Sequence, residues 1–124
     1  MLNFYICRHC GNIVTKVEDK GVPVVCCGEK MELLVPNTVE ASGEKHVPVV
    51  SVSEDLVTVN VGAVDHPMQD VHYIQWVALE TEKGVSIKYL KPEEAPSVSF
   101  SIPGEKGVAV YAYCNLHGLW KTEL

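Results

Sequence analysis

Two groups of residues in this 124-residue chain have the types and spacing to hold metal ions. The first is Cys7-x-x-Cys10-Gly11, followed by the adjacent pair Cys26-Cys27 and Gly28. Two residues between thiolates let both sulfurs face one ion, and Gly11 eases the tight turn this requires. Four cysteines within 21 residues suit a tetrathiolate site better than disulfides, which are rare in a chain without signs of export. Tetrahedral sulfur ligation fits zinc and iron alike. A zinc ribbon would repeat the C-x-x-C knuckle, and the adjacent pair breaks that pattern. Adjacent residues cannot form the knuckle turn, so the angle between their sulfurs is expected to be distorted. His9, inside the knuckle, reads as a solvated loop residue without a role.

The second group is His46, His66, His72, Cys114 and His117. Alone, any of these would be an ordinary satisfied or surface residue. Their places change that weighting. His46 precedes a strand-like run, His66 and His72 bracket a loop that opens another, and Cys114-x-x-His117 follows a third. Strand ends on one edge of a sandwich can converge on a point. Imidazole suits iron, copper, nickel or zinc, and one thiolate adds a soft donor. Five donors exceed the four that zinc normally takes, so ferrous iron with an open sixth position fits.

The elements that must position these residues are strands. The chain has 21 Val against six Ala, with seven Pro and nine Gly, a composition that favours pleated, half-buried surfaces over helix. Val57–Val61 and Val98–Ile102 alternate strictly. His72–Glu82 and Val85–Leu90 flank a Glu-Lys-Gly turn and read as a hairpin. Val47–Ser53, Val108–Cys114 and Leu119–Leu124 bring the total to about seven short strands, the pattern of a β-sandwich. Residues 1–36 form a cysteine-dense unit too small to bury a core without a staple. Pro36–Lys45 is polar and turn-rich and reads as a linker running into a loop.

Charge and hydropathy set the bounds. Ten Lys+Arg against sixteen Asp+Glu give a formal charge of −6, so a nucleic-acid partner is not expected. A 47% hydrophobic and 21% charged composition is that of a globular chain. No apolar run is long enough for a membrane helix, and the start carries no basic stretch of a signal peptide, so the expected compartment is the cytoplasm. Trp76, Trp120 and Tyr73 read as core or site-wall aromatics, and Met31 and Met68 as packing residues.

The motifs resemble those of a known family. The cysteine-rich start, with C-x-x-C followed by C-C, resembles desulforedoxin, a small rubredoxin-like iron protein. Gly43-Glu44-Lys45-His46-Val47-Pro48-Val49, His66-Pro67-Met68, His72-Tyr73-Ile74-Gln75-Trp76 and Cys114-Asn115-Leu116-His117-Gly118-Leu119-Trp120-Lys121 look like the superoxide reductase motifs. Together they resemble the desulfoferrodoxin family of two-iron superoxide reductases over essentially the whole chain.

That resemblance implies a mainly β protein. A desulforedoxin-like Fe(Cys)4 domain over 1–36 would be followed by an immunoglobulin-like antiparallel β-sandwich over 37–124. It implies two mononuclear irons, the first on Cys7, Cys10, Cys26 and Cys27. The second would have His46, His66, His72 and His117 equatorial and Cys114 axial, with the sixth position open to superoxide. Lys45 and Glu44 would sit over that position, Lys45 to attract the anion and Glu44 to displace product once the iron is ferric. The implied reaction is one-electron reduction of superoxide to hydrogen peroxide without release of oxygen, protecting an anaerobe from oxidative stress. A rubredoxin-type electron donor and a homodimer complete the expectation. A non-catalytic electron-transfer iron protein and a structural zinc protein are the rival readings. Open coordination and peroxide formation would exclude the first, and visible colour the second.

Overall fold

The computed structural model describes residues 2–124. The chain forms two compact units, one through Val35 and one over Pro36–Leu124.

The first unit has five strands of two residues each: β1 (Tyr5–Ile6), β2 (Ile13–Val14), β3 (Val25–Cys26), β4 (Glu29–Lys30) and β5 (Glu32–Leu33). A sheet in the order β2-β1-β5 and a separate β3-β4 hairpin make up its regular structure. Phe4, Ile6, Cys7, Met31 and Leu34 are its buried apolar residues. So small a core is marginal by itself, and a metal staple is the usual remedy.

The second unit opens with a single helical turn, α1 (Gly43–His46), where the sequence reads as loop. Glu44 in its first turn and Lys45 and His46 in its last complement the helix dipole, but one turn is unstable alone. Tertiary contacts hold it: the Val64 N–H donates to Glu44 O at 2.8 Å. The backbone of Gly62 also packs so closely that a Cβ there would lie 2.6 Å from Glu44 O.

Seven strands follow: β6 (Pro48–Ser53), β7 (Leu56–Val61), β8 (Ile74–Thr81), β9 (Val85–Tyr89), β10 (Ser97–Ser101), β11 (Gly107–Cys114) and β12 (Gly118–Glu123). They form two antiparallel sheets, β10-β7-β6 and β12-β11-β8-β9. Strand β7 turns Val57, Val59 and Val61 into the core and leaves Leu56 and Thr58 exposed, the period-two pattern of a sheet with one wet face. Those valines join Ile74, Val77, Leu79, Val110, Ala112, Phe100 and Ile102 in one core cluster. Strands β8 and β11 are buried almost throughout because their other face carries its own cover. Trp76 stacks on Tyr113 with ring centroids 5.5 Å apart, and the Lys121 ammonium lies 5.5 Å from the Tyr111 ring. The edge between β9 and β10 is bridged by Lys88, which donates to Ser99 O and lies over Phe100.

The register brings the site together. Pro48 pairs with Val61, and Cys114 pairs with both Ile74 and Gly118. The start of β6, the end of β7, the start of β8 and the end of β11 therefore lie at one end of the sandwich. The β8–β11 ladder shifts register between Tyr113 and Cys114, a bulge at the last residue before the site, where such irregularities re-aim a side chain.

Candidate metal centres

In the first unit the Cys7–Cys10 knuckle hangs from the end of β1. Gly11 N–H donates to Cys7 O at 2.8 Å, and Gly11 adopts φ +86° to close the turn. Cys26 ends β3 and pairs with Glu29, so Cys27 and Gly28 are the two loop residues of a hairpin. Both have positive φ, 53° and 78°, as the favoured two-residue hairpin turn demands. The sulfurs of Cys7, Cys10, Cys26 and Cys27 all lie within 4.8 Å of one another. Cys10 Sγ is 3.6 Å from Cys26 Sγ, and Cys26 Sγ is 3.9 Å from Cys27 Sγ. Four sulfurs arranged tetrahedrally about 2.3 Å from one ion would be about 3.8 Å apart. The adjacent pair is the wider of these two, 3.9 Å against 3.6 Å, and Cys27 reaches its place through a left-handed backbone conformation.

The thiols also divide electrostatically. The backbone N–H of Cys10 holds the Cys7 thiol down to about 6, whereas the Cys10 and Cys7 sulfurs facing Cys27 push it up to about 12. Cys26 is raised for the same reason as Cys27. Without a cation the cluster cannot carry four thiolates, and a metal ion supplies the missing charge. His9 is exposed.

In the second unit the four histidines close a ring. Centroid distances run 4.5 Å from His46 to His66, 4.7 Å to His72, 5.1 Å to His117 and 4.9 Å back to His46. The His46–His72 diagonal is 6.4 Å. His46 Nδ1 lies 2.7 Å from Ser42 O and His66 Nδ1 2.7 Å from Pro67 O. A carbonyl can only accept, so both rings carry their proton on Nδ1 and turn a bare Nε2 inward. Those Nε2 atoms are 3.1 Å apart, and His117 Nδ1 is 3.1 Å from His46 Nε2. Neighbouring donors at right angles, each about 2.1 Å from one ion, would be about 3.0 Å apart. His72 Nε2 is buried with no hydrogen-bond partner. Cys114 is fully buried, its sulfur 3.9 Å from His117 Nδ1. His46, His72, Cys114 and His117 form a metal-holding group, with the His66 ring beside it between His46 and His72.

The field in this site favours neutral rings. Burial first, then the neighbouring imidazoles, holds His66 down to about 4. Burial likewise lowers His46 and His72, and the charge of exposed Lys45 lowers both further. Burial raises the Cys114 thiol, opposed by the Leu116 and His117 N–H groups directed at its sulfur. Neutral imidazoles are already in the form that binds a divalent ion, whereas the Cys114 thiol must give up its proton to become a ligand. Glu44 is exposed on the same turn as Lys45.

Two supporting groups, both backbone carbonyls, escape a reading of the sequence. Ser42 O and Pro67 O are main-chain atoms, which no residue type advertises. Trp120 stacks on His46 at 4.9 Å and donates its Nε1–H to His117 O at 3.1 Å, so it belongs to the site wall as well as the core. Met31 is buried and Met68 packs against the core cluster.

Known proteins share this arrangement. The desulfoferrodoxin profile matches residues 38–123, and the profile of the desulfoferrodoxin N-terminal domain matches residues 1–34. The desulfoferrodoxin of Nitratidesulfovibrio vulgaris is 48% identical over 120 residues, covering 96% of this chain and 94% of that one. The superoxide reductase of Thermococcus kodakarensis is 34% identical over 100 residues, covering 66% of this chain and 87% of that one. The crystal structure of the superoxide reductase from Treponema pallidum superposes with a TM-score of 0.83 at 37% identity, covering 99% of both chains. A tetrathiolate cluster in the first unit and a histidine–cysteine cluster in the second match the two iron centres of that family, and both family profiles fall on the units that carry them. By sequence, fold and donor sets alike, the chain belongs to the desulfoferrodoxin family.

Proposed function

We propose that this protein is a superoxide reductase, converting superoxide with one electron and two protons to hydrogen peroxide without releasing oxygen. The observation that carries the reading is the closed ring of four imidazoles, two of them with bare Nε2 atoms fixed by main-chain carbonyls, beside one buried cysteine. His46, His66, His72, His117 and Cys114 are the proposed ligands of the catalytic iron, and Cys7, Cys10, Cys26 and Cys27 those of the first. When bound, ferrous iron supplies the reducing electron at the second site.

The chain's own groups do the rest. The carbonyls of Ser42 and Pro67 hold two rings in the ligating tautomer, and burial keeps them neutral. Cys114 contributes the one anionic donor. A divalent ion with one thiolate leaves a local charge of about +1, attractive to an anion despite the overall charge of −6. Lys45 adds a positive charge whose influence already reaches His46 and His72. Its proposed role is to steer superoxide inward, and that of Glu44 is to displace product.

The same reading includes a desulforedoxin-like domain over 1–36 and a reductase domain over 37–124. It also includes a rubredoxin-type electron donor, a homodimer and a cytoplasmic location. The domains, the donor and the homodimer rest on the family resemblance. Among the described residues no helix is long and apolar enough to cross a membrane.

The test is to pulse pre-reduced protein with superoxide and to measure peroxide, oxygen and metal content together. The expected result is two irons per chain without stoichiometric zinc, about one peroxide per superoxide consumed, and no oxygen. Zinc at near-unit stoichiometry in the histidine cluster of protein from its native source, or superoxide left unconsumed, would refute the reading.

A further inference from the structure

His72 is the histidine whose place in the ring most needs explaining. Its Nε2 is buried without a hydrogen-bond partner among the described residues, so no hydrogen bond from them holds that atom toward the other rings. The main chain around it is held instead. Gln69 and His72 exchange two backbone hydrogen bonds, at 2.9 and 3.0 Å, which close the short turn before the ring. The residues on either side of His72 are then gripped by one side chain from a distant part of the sequence. Asn115 Oδ1 accepts the Tyr73 N–H at 2.9 Å, and Asn115 Nδ2 donates to Val71 O at 3.0 Å. Its own N–H donates to Tyr73 O at 3.3 Å.

An amide is the side chain suited to this grip, because it presents one acceptor and two donors in a fixed plane. Asparagine also has the right reach, its polar atoms standing one carbon from Cβ. The carboxylate of Asp could accept from Tyr73 but could not donate to Val71. Asn115 stands between two members of the same cluster, following Cys114 directly and lying two residues before His117. The grip therefore fixes one ligand-bearing loop against another.

We propose that Asn115 is the positioning residue of His72, setting that ring relative to Cys114 and His117 by clamping Val71 and Tyr73. The inference rests on the assignment of His72 as a metal ligand. Groups that orient ligands in this way typically contribute about 10- to 100-fold to metal affinity.

The experiment is a double-mutant cycle on the full chain, with Co²⁺ affinity of the histidine–cysteine cluster measured by chelator competition and its visible band recorded. Asn115→Ala is expected to weaken Co²⁺ binding about 10- to 100-fold and to alter the band, while the tetrathiolate spectrum stays unchanged. In a His72→Ala background the same substitution should cost about 2-fold at most, because the ring it positions is gone. Asn115→Asp keeps the acceptor for Tyr73 and should fall between; it replaces Asn115→Ala in the cycle if that variant does not fold. Equal losses in both backgrounds, or an unaltered affinity and band in Asn115→Ala, would overturn the inference while leaving the ligand assignment standing. Unchanged Co²⁺ affinity in His72→Ala would overturn both.

Discussion

The Nε2 atoms of His46 and His66 face each other at 3.1 Å although neither carries a proton to share. Each ring has given its hydrogen to a main-chain oxygen on its far side, Ser42 O for one and Pro67 O for the other. Two inward lone pairs at this separation repel, and a cation between them turns the repulsion into coordination. The surrounding fold fixes this pair before any ion arrives. His46 is anchored by the packed turn against Gly62, and His66 by its N–H to Val61 O at 2.9 Å. Such preorganisation is what separates a binding site from a coincidence of residue types.

Lys45 is exposed, yet its charge is felt at two rings of the cluster. Lys45→Ala should leave both irons bound and slow the bimolecular reaction with superoxide by up to about 10-fold at low salt, the lower end of what steering supplies. The slope of rate against ionic strength should flatten, because screening acts on the lost attraction. Rapid-mixing or pulse kinetics over a salt series checks both. An unchanged rate and slope would make Lys45 an ordinary surface lysine.

The two metal centres should fail independently. Cys27→Ser leaves a poorer donor in a unit whose small core depends on its staple, so the first iron should be lost or bleached. Single-turnover reduction of superoxide by the pre-reduced variant should nevertheless persist. Cys114→Ser should keep the tetrathiolate spectrum and lose most of the reaction. Iron content and a superoxide pulse on each variant are the measurements. Loss of single turnover in Cys27→Ser with its second iron present would mean that the first centre takes a direct part.

Tyr111 offers a pH test outside both donor sets. It is buried and donates to Glu80 Oε1 at 3.0 Å, and burial, then that bond, raise its phenol well above the ordinary value. The folded state thus keeps a proton that the unfolded chain releases near pH 10. Its contribution is fully present below about pH 10 and is lost as pH rises through the alkaline range. Tyr111→Phe should cost about 1 kcal/mol at neutral pH and flatten the alkaline fall. Denaturant midpoints at neutral and alkaline pH for both proteins decide it; parallel falls would assign the slope elsewhere.

Most of the sandwich was legible because burial on one face writes a period of two into strands such as Val57–Val61 and Val98–Ile102. The nearly unbroken apolar run of β11 was legible too, since β-branched and aromatic residues fill it. The strands of the first unit were not, because two residues cannot show a period. Nor was the turn Gly43–His46, whose Gly, Glu and Lys read as loop and whose helical form depends on Val64 and Gly62. Donor identities could be read from spacing and resemblance. The order of the histidines around the ring could not, since it depends on which strand ends the register makes neighbours. Asn115 was visible inside its motif, but its reach to residues 71 and 73 belongs to the folded chain alone.

The contact between Trp120 and the histidine ring has an optical consequence. The indole stacks on His46 and donates to the carbonyl of His117, so it touches two members of the second cluster. The chain has one other tryptophan, Trp76, which is engaged with Tyr113. Emission from Trp120 would be quenched by a paramagnetic ion in the second cluster and restored when the ion leaves. The protein thus carries its own fluorescent gauge of metal loading, readable without a label and at concentrations too low for the colour of either iron to be seen.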